Sequence, residues 1–165
     1  MRLRSAIALC LLGAACHPPP PNSYHLVIDP SFDEAETQTV IDAAEEWAAA
    51  VPVRFDYRLD RCHLSLTDPV VDTLGAHRDS AVVCITHDEP ETSGRLAETV
   101  PFGEDTYMRL GPTVRLGTTA HELGHAQGLA HVADPDALMY RVGHTNLDAP
   151  PPGPSDVAEW YAVRR

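Results

Sequence analysis

Residues 121–131 read HELGHAQGLAH, a stretch whose side chains and spacing could build a metal centre. A helix repeats every 3.6 residues, so His121 and His125, four apart, project from one face and can reach a single ion. Glu122 is rotated away from direct ligation yet stays close enough to touch a water on that ion, the position of a general base. Gly128 can adopt the left-handed conformation that ends a helix and turns the chain back, which lets His131 approach as a third ligand. Three neutral imidazoles leave the fourth tetrahedral position to water, the open arrangement of a catalytic zinc rather than a structural one. The two histidines and the glutamate alone recur by chance in unrelated helices. Gly128 and His131 at their fixed offsets make the pattern specific.

The rest of the chain has to hold that helix in place. Tyr24 to Asp29 is a short apolar run suited to a strand, and Ser31 with Glu34 offers a capping box for a helix. Val40, Ile41, Ala44, Trp47, Ala48 and Val51 recur at spacings of three and four, which predicts one buried helical face, and Pro52 stops it. Val53 to Leu59 alternates strictly, with Val53, Phe55, Tyr57 and Leu59 on the face expected to be buried. His63 to Thr67 offers another alternating strand, and Ala81 to Thr86 is a continuous apolar run typical of a strand covered on both sides. Residues 87–105 carry Pro90, Gly94, Pro101 and Gly103 and read as mostly loop, followed by a strand at Thr106 to Leu110 that is the candidate edge for an extended substrate. After a proline run at Ala149 to Pro154, Ser155 can cap a last helix with Val157, Trp160 and Tyr161 on its apolar face.

The motif HExxHxxGxxH, with DALMY at Asp136 to Tyr140, resembles the metzincin clan of zinc metallopeptidases and is most similar to its matrixins. The close resemblance spans Thr118 to Tyr140. It implies an α+β catalytic domain with a twisted, mixed and mostly parallel sheet, two long helices, a Met-turn and a C-terminal helix. It also implies that Met139 forms a hydrophobic floor below the ligands, that zinc is the cofactor, and that the reaction is hydrolysis of a peptide bond in a protein or peptide substrate. Val132 and Arg141 depart from the matrixin pattern, and Tyr140 directly follows Met139, so packing is its expected role. His77, Asp79 and His87 invite comparison with the structural zinc site of matrixins at a shorter spacing, but neither a second zinc nor calcium gains support from the sequence. A zinc-binding surface lipoprotein that holds peptides or matrix without turnover is the alternative, although Glu122 is then without a purpose.

The 165 residues suffice for one domain, with 44% hydrophobic and 22% charged residues. Arg2 and Arg4 precede an uncharged run from Ser5 to Ala15, so residues 1–15 read as a signal peptide, 16–23 as a proline-rich tether, and 24–165 as the folded domain. Gly13, Ala14 and Ala15 before Cys16 resemble a lipobox, with ordinary cleavage and secretion as the other reading. Cleavage there leaves Cys16, Cys62 and Cys84. Lipidation of Cys16 then frees Cys62 and Cys84 to form a disulfide in an oxidising compartment. An exported protein is expected, attached to an outer membrane or cell surface by its lipid or else secreted. The formal charge of −12 argues against nucleic acid as a partner. A monomer is expected.

Overall fold

The computed structural model describes residues 21–62, 81–87, 96–102, 105–141 and 150–165. The leader, most of the tether, Cys16, the strand expected at His63 to Thr67, and His77, Asp79 and His144 lie outside the described residues.

Strand β1 (Ser23–Ile28) leads into helix α1 (Glu34–Ala50) and strand β2 (Arg54–Leu59). Strands β3 (Ala81–Thr86), β4 (Ala97–Phe102) and β5 (Asp105–Leu110) follow, then helices α2 (Leu116–Ala126) and α3 (Pro154–Ala162). The strands form one sheet in the order β2-β1-β3-β5-β4. Neighbours are parallel except β4 and β5, which are antiparallel. The α+β class, the mixed and mostly parallel sheet and the terminal helix are those the resemblance implies.

The central strands carry the continuous apolar runs because both of their faces are covered. Leu26, Ile28, Val83, Ile85, Met108 and Leu110 are buried there. Helix α1 starts two residues later than its expected box: Asp33 is the N-cap, accepting from the Glu36 amide, while the Glu36 carboxylate accepts from the Asp33 amide. Ser31 instead donates its amide to Asp29 within the preceding turn. The buried face of α1 is Val40, Ala43, Ala44 and Trp47; Ala48 faces solvent and Ile41 is half-buried, so the apolar stripe is rotated towards Ala43. Trp47 Nε1 donates to the Ala120 carbonyl at 2.7 Å, which ties α1 to α2 across the core.

Three expectations about the sheet change. Residues 97–102, read as part of a loop, form β4, and β4 rather than Thr106 to Leu110 is the outer strand beyond β3 among the described residues. β5 is flanked on both sides. β2 is the opposite edge, and its strict alternation does not bury one face: Tyr57 is 55% and Leu59 61% exposed, because an edge strand has a neighbour on one side only.

The register of β4 also fixes which of its backbone groups face outward. The Gly111 amide donates to the Leu96 carbonyl at 2.9 Å, so residues 96, 98 and 100 bond towards β5. The backbone groups of Ala97, Thr99 and Pro101 therefore point away from β5, to a side that carries no paired strand among the described residues. Pro101 has no amide hydrogen and sits where the ladder needs none, the place in a sheet that tolerates proline.

Candidate metal centre

Helix α2 carries His121 and His125 on one face, as the four-residue spacing requires. It ends in a Schellman turn. The Leu129 amide donates to the Gly124 carbonyl at 3.1 Å and the Gly128 amide to the His125 carbonyl at 2.9 Å, with Gly128 at φ 86°. A side chain at that φ is strained, so the glycine is what permits the reversal. Beyond it the chain brings His131 back against the helix.

The three imidazoles converge. His131 Nε2 lies 3.3 Å from His121 Nε2 and 3.2 Å from His125 Nε2. The outer nitrogens set the tautomers: His121 Nδ1 donates to the Leu138 carbonyl at 2.7 Å and His125 Nδ1 to the Leu129 carbonyl at 2.8 Å. Each of these two rings thus turns its Nε2 towards His131. Burial, the His125 and His121 rings and Arg141 together hold His131 below the ordinary imidazole range, against the opposing pull of Glu122. That favours the neutral form a metal ligand must have.

With Nδ1 of His121 and of His125 each donating to a carbonyl, the Nε2 atoms of both rings can be directed at a shared cation. Nitrogens bound tetrahedrally to one zinc at about 2.0–2.1 Å stand roughly 3.3–3.4 Å from one another. The two separations from His131 Nε2 match that spacing, the three candidate ligand atoms all lie within 4.8 Å of one another, and the donor set of three imidazoles suits zinc. Among the described residues no other group of three or more such side chains is so disposed. His87 pairs with Glu36 at 3.2 Å and packs on Phe32, and His25 pairs with Asp56 on the neighbouring strand.

After the histidine cluster the chain runs from Val132 to Tyr140 as a closed loop, bridged by the Val132 amide to the Met139 carbonyl at 3.0 Å. Met139 is fully buried and lies against Gly124 so closely that a Cβ there would collide with its sulfur and come within 2.9 Å of Trp47 Cζ2. Gly124 therefore allows helix, methionine and Trp47 to pack in contact.

The loop is held from below by a residue the sequence reading passed over. Asp156, fully buried at the start of α3, accepts from the amides of Leu138 (3.0 Å), Met139 (2.8 Å) and Gly153 (2.8 Å). Gly153 is the N-cap of α3, with Pro154 just inside. Ser155, expected to cap, lies within the helix and donates to Asp134 at 2.6 Å instead. The signal was available: an acid two residues beyond a proline that opens a helix is placed to receive the free amides of the first turn. A relay results, in which Asp156 fixes the Leu138–Met139 backbone and the Leu138 carbonyl fixes His121.

Glu122 is nearly buried, on the side of α2 that faces β4. Thr99 Oγ1 donates to its carboxylate Oε2 at 2.5 Å and also lies 3.1 Å from its backbone carbonyl. Thr99 fell in the stretch read as loop. Pro101 is compatible with an edge strand, but no local signal pairs Thr99 with Glu122.

With this geometry in hand, comparison with known proteins is informative. Residues 23–150 match the family model for matrixin. The chain belongs to the matrixin family. Human matrix metalloproteinase-20 is 34% identical over 125 residues, which cover 67% of this chain and 24% of that protein, so the chain spans about a quarter of its relative's length. Among solved structures, high choriolytic enzyme 1, a hatching enzyme zinc-protease from the medaka Oryzias latipes, aligns with a TM-score of 0.44 and 17% identity over 66% of this chain and 44% of its own. Within this matrixin domain the family motif coincides with the histidine cluster. The disulfide between Cys62 and Cys84 joins the chain after β2 to β3, the middle strand of the sheet.

Proposed function

We propose that the domain is a zinc-dependent endopeptidase in which His121, His125 and His131 hold the metal and Glu122 is the general base. One observation carries the reading: three imidazoles converge, with His131 Nε2 at 3.3 Å from His121 Nε2 and 3.2 Å from His125 Nε2, beside a nearly buried carboxylate. Zinc, when bound there, supplies the Lewis acidity that brings water within reach of deprotonation near neutral pH and polarises the scissile carbonyl. Glu122 takes the proton of the attacking water and delivers it to the nitrogen of the departing amine. Met139 and the relay from Asp156 keep the ligand set rigid, so little reorganisation accompanies the reaction.

The substrate is a protein or peptide that lies extended along the outer side of β4, bonded to the backbone of Ala97 and Thr99 and to the Pro101 carbonyl. The missing amide at Pro101 restricts the register in which it can do so. Residues 1–15 serve as an export signal, 16–23 as a tether and Cys16 as the lipid attachment point, which leaves the catalytic domain facing the medium at a membrane surface.

The test joins two measurements on the purified protein, zinc per chain and chelator-sensitive cleavage of casein. One zinc per chain with cleavage abolished in Glu122→Gln but zinc retained is the expected result. Full zinc occupancy in a wild type that cuts nothing would favour a peptide-binding module instead.

A further inference from the structure

Thr99 stands where two parts of the site meet. Its backbone amide and carbonyl face the open side of β4, while its hydroxyl donates to Glu122 Oε2 at 2.5 Å. Side chains alternate along a strand, so Ala97 and Thr99 share the face of β4 that packs on α2. The burial of Ala97 in the core, at 7% exposure, anchors that face and leaves Thr99 at the carboxylate.

From this geometry we infer that Thr99 is a positioning residue for the proposed reaction, its hydroxyl holding one oxygen of Glu122 so that the other is aimed at the attacking water. The inference rests on the peptidase reading. A carboxylate on a two-bond stem otherwise samples several rotamers, and a charge-assisted hydrogen bond to one oxygen selects among them. Burial makes that bond the stronger. Because the same residue offers its amide and carbonyl to the substrate, the strand that registers the peptide also orients the base. Correct docking and correct aim of the carboxylate are thus set by one backbone position. Threonine suits both demands, since its β-branch favours the strand and its hydroxyl supplies the donor.

The experiment uses Thr99→Val, which keeps shape and strand preference but removes the donor, with Thr99→Ser as the conservative variant. Each is measured on a quenched fluorescent peptide spanning a site that the wild type cuts in casein. Zinc per chain and melting temperature are recorded alongside. The expected result for Thr99→Val is a fall in kcat of about ten- to a hundredfold, the effect of losing a hydrogen bond to a charged group, with KM within about twofold. Zinc content and melting temperature stay at wild-type values, and Thr99→Ser recovers most of the rate. Wild-type kcat in Thr99→Val overturns the inference and leaves the peptidase reading standing. So does a loss confined to KM, or a loss of zinc or of melting temperature that accounts for the activity. A wild type that cuts no casein overturns both.

Discussion

Among the described residues β2 and β4 are the two outer strands of one sheet, and they differ in what packs beside them. β2 runs parallel to β1, carries Arg54, Asp56 and Arg58 between its apolar residues, and leaves Tyr57 and Leu59 largely in solvent. Charges spaced along an edge discourage another chain from pairing with it. The disulfide from Cys62 to Cys84 then fastens the chain leaving β2 to β3, across β1. β4 is antiparallel to β5, is crossed by α2 and touches Glu122 through Thr99. In the proposed reaction, an outer strand is thus a liability at one end of the sheet and an asset at the other. Which of the two it becomes depends on whether a chemically competent helix packs against it.

Substitutions should separate these ends, the β4 end in metal and turnover, the β2 end in stability alone. The largest effect is expected at His131→Ala. Zinc affinity should fall by more than the roughly 10–100-fold that losing a ligand's supporting hydrogen bond costs, and casein cleavage should vanish with it. Retention of stoichiometric zinc by that variant in a competition titration would break the comparison at its centre.

Asp156→Ala comes next. It strands the Leu138 and Met139 amides of the turn and the Gly153 amide at the start of α3, so unfolding in urea should show a loss of about 3 kcal/mol or more. Zinc affinity should drop roughly 10–100-fold as the Leu138 carbonyl loses its support and His121 its orientation. Stability lost without any change in metal affinity would mean that the relay stops at the turn.

Replacing Cys62 and Cys84 together by alanine opens a cross-link with a sequence separation of 22, for which chain entropy gives a cost of about 3 kcal/mol. Turnover per folded molecule should be unchanged. A fall in kcat at temperatures where the variant is still folded would show that the two ends communicate. The smallest effect belongs to Tyr57→Ser, expected within about 0.5 kcal/mol of wild type in stability and indistinguishable in rate. A clear loss of casein cleavage there would make β2 part of the substrate surface and remove the contrast.

The histidine cluster was legible in the sequence because its geometry is local. A four-residue helical spacing and one glycine at a reversal are consequences of backbone conformation over eleven residues, and no distant contact is needed to expect them. The same holds for the amphipathic stripe of α1 and the apolar runs of β1 and β3, whose composition reflects burial on both faces. The supports of the cluster were not legible in this way. Asp156 lies 17 residues from Met139 and Thr99 lies 23 from Glu122, and nothing in either neighbourhood names its partner. The alternation of β2 was likewise an honest strand signal that could not say whether a neighbour would cover it.

The sequence by itself therefore determined the identity of the candidate ligands, the position of the carboxylate and the end of the helix that carries them, since these follow from local backbone geometry. Only the tertiary structure decided which strand is the open edge, which hydroxyl meets Glu122 and which carboxylate holds the turn below the histidines. Those outcomes depend on strand pairing and on the packing of α1, α2 and α3, interactions between residues far apart in the chain whose energies are settled only when the whole core closes.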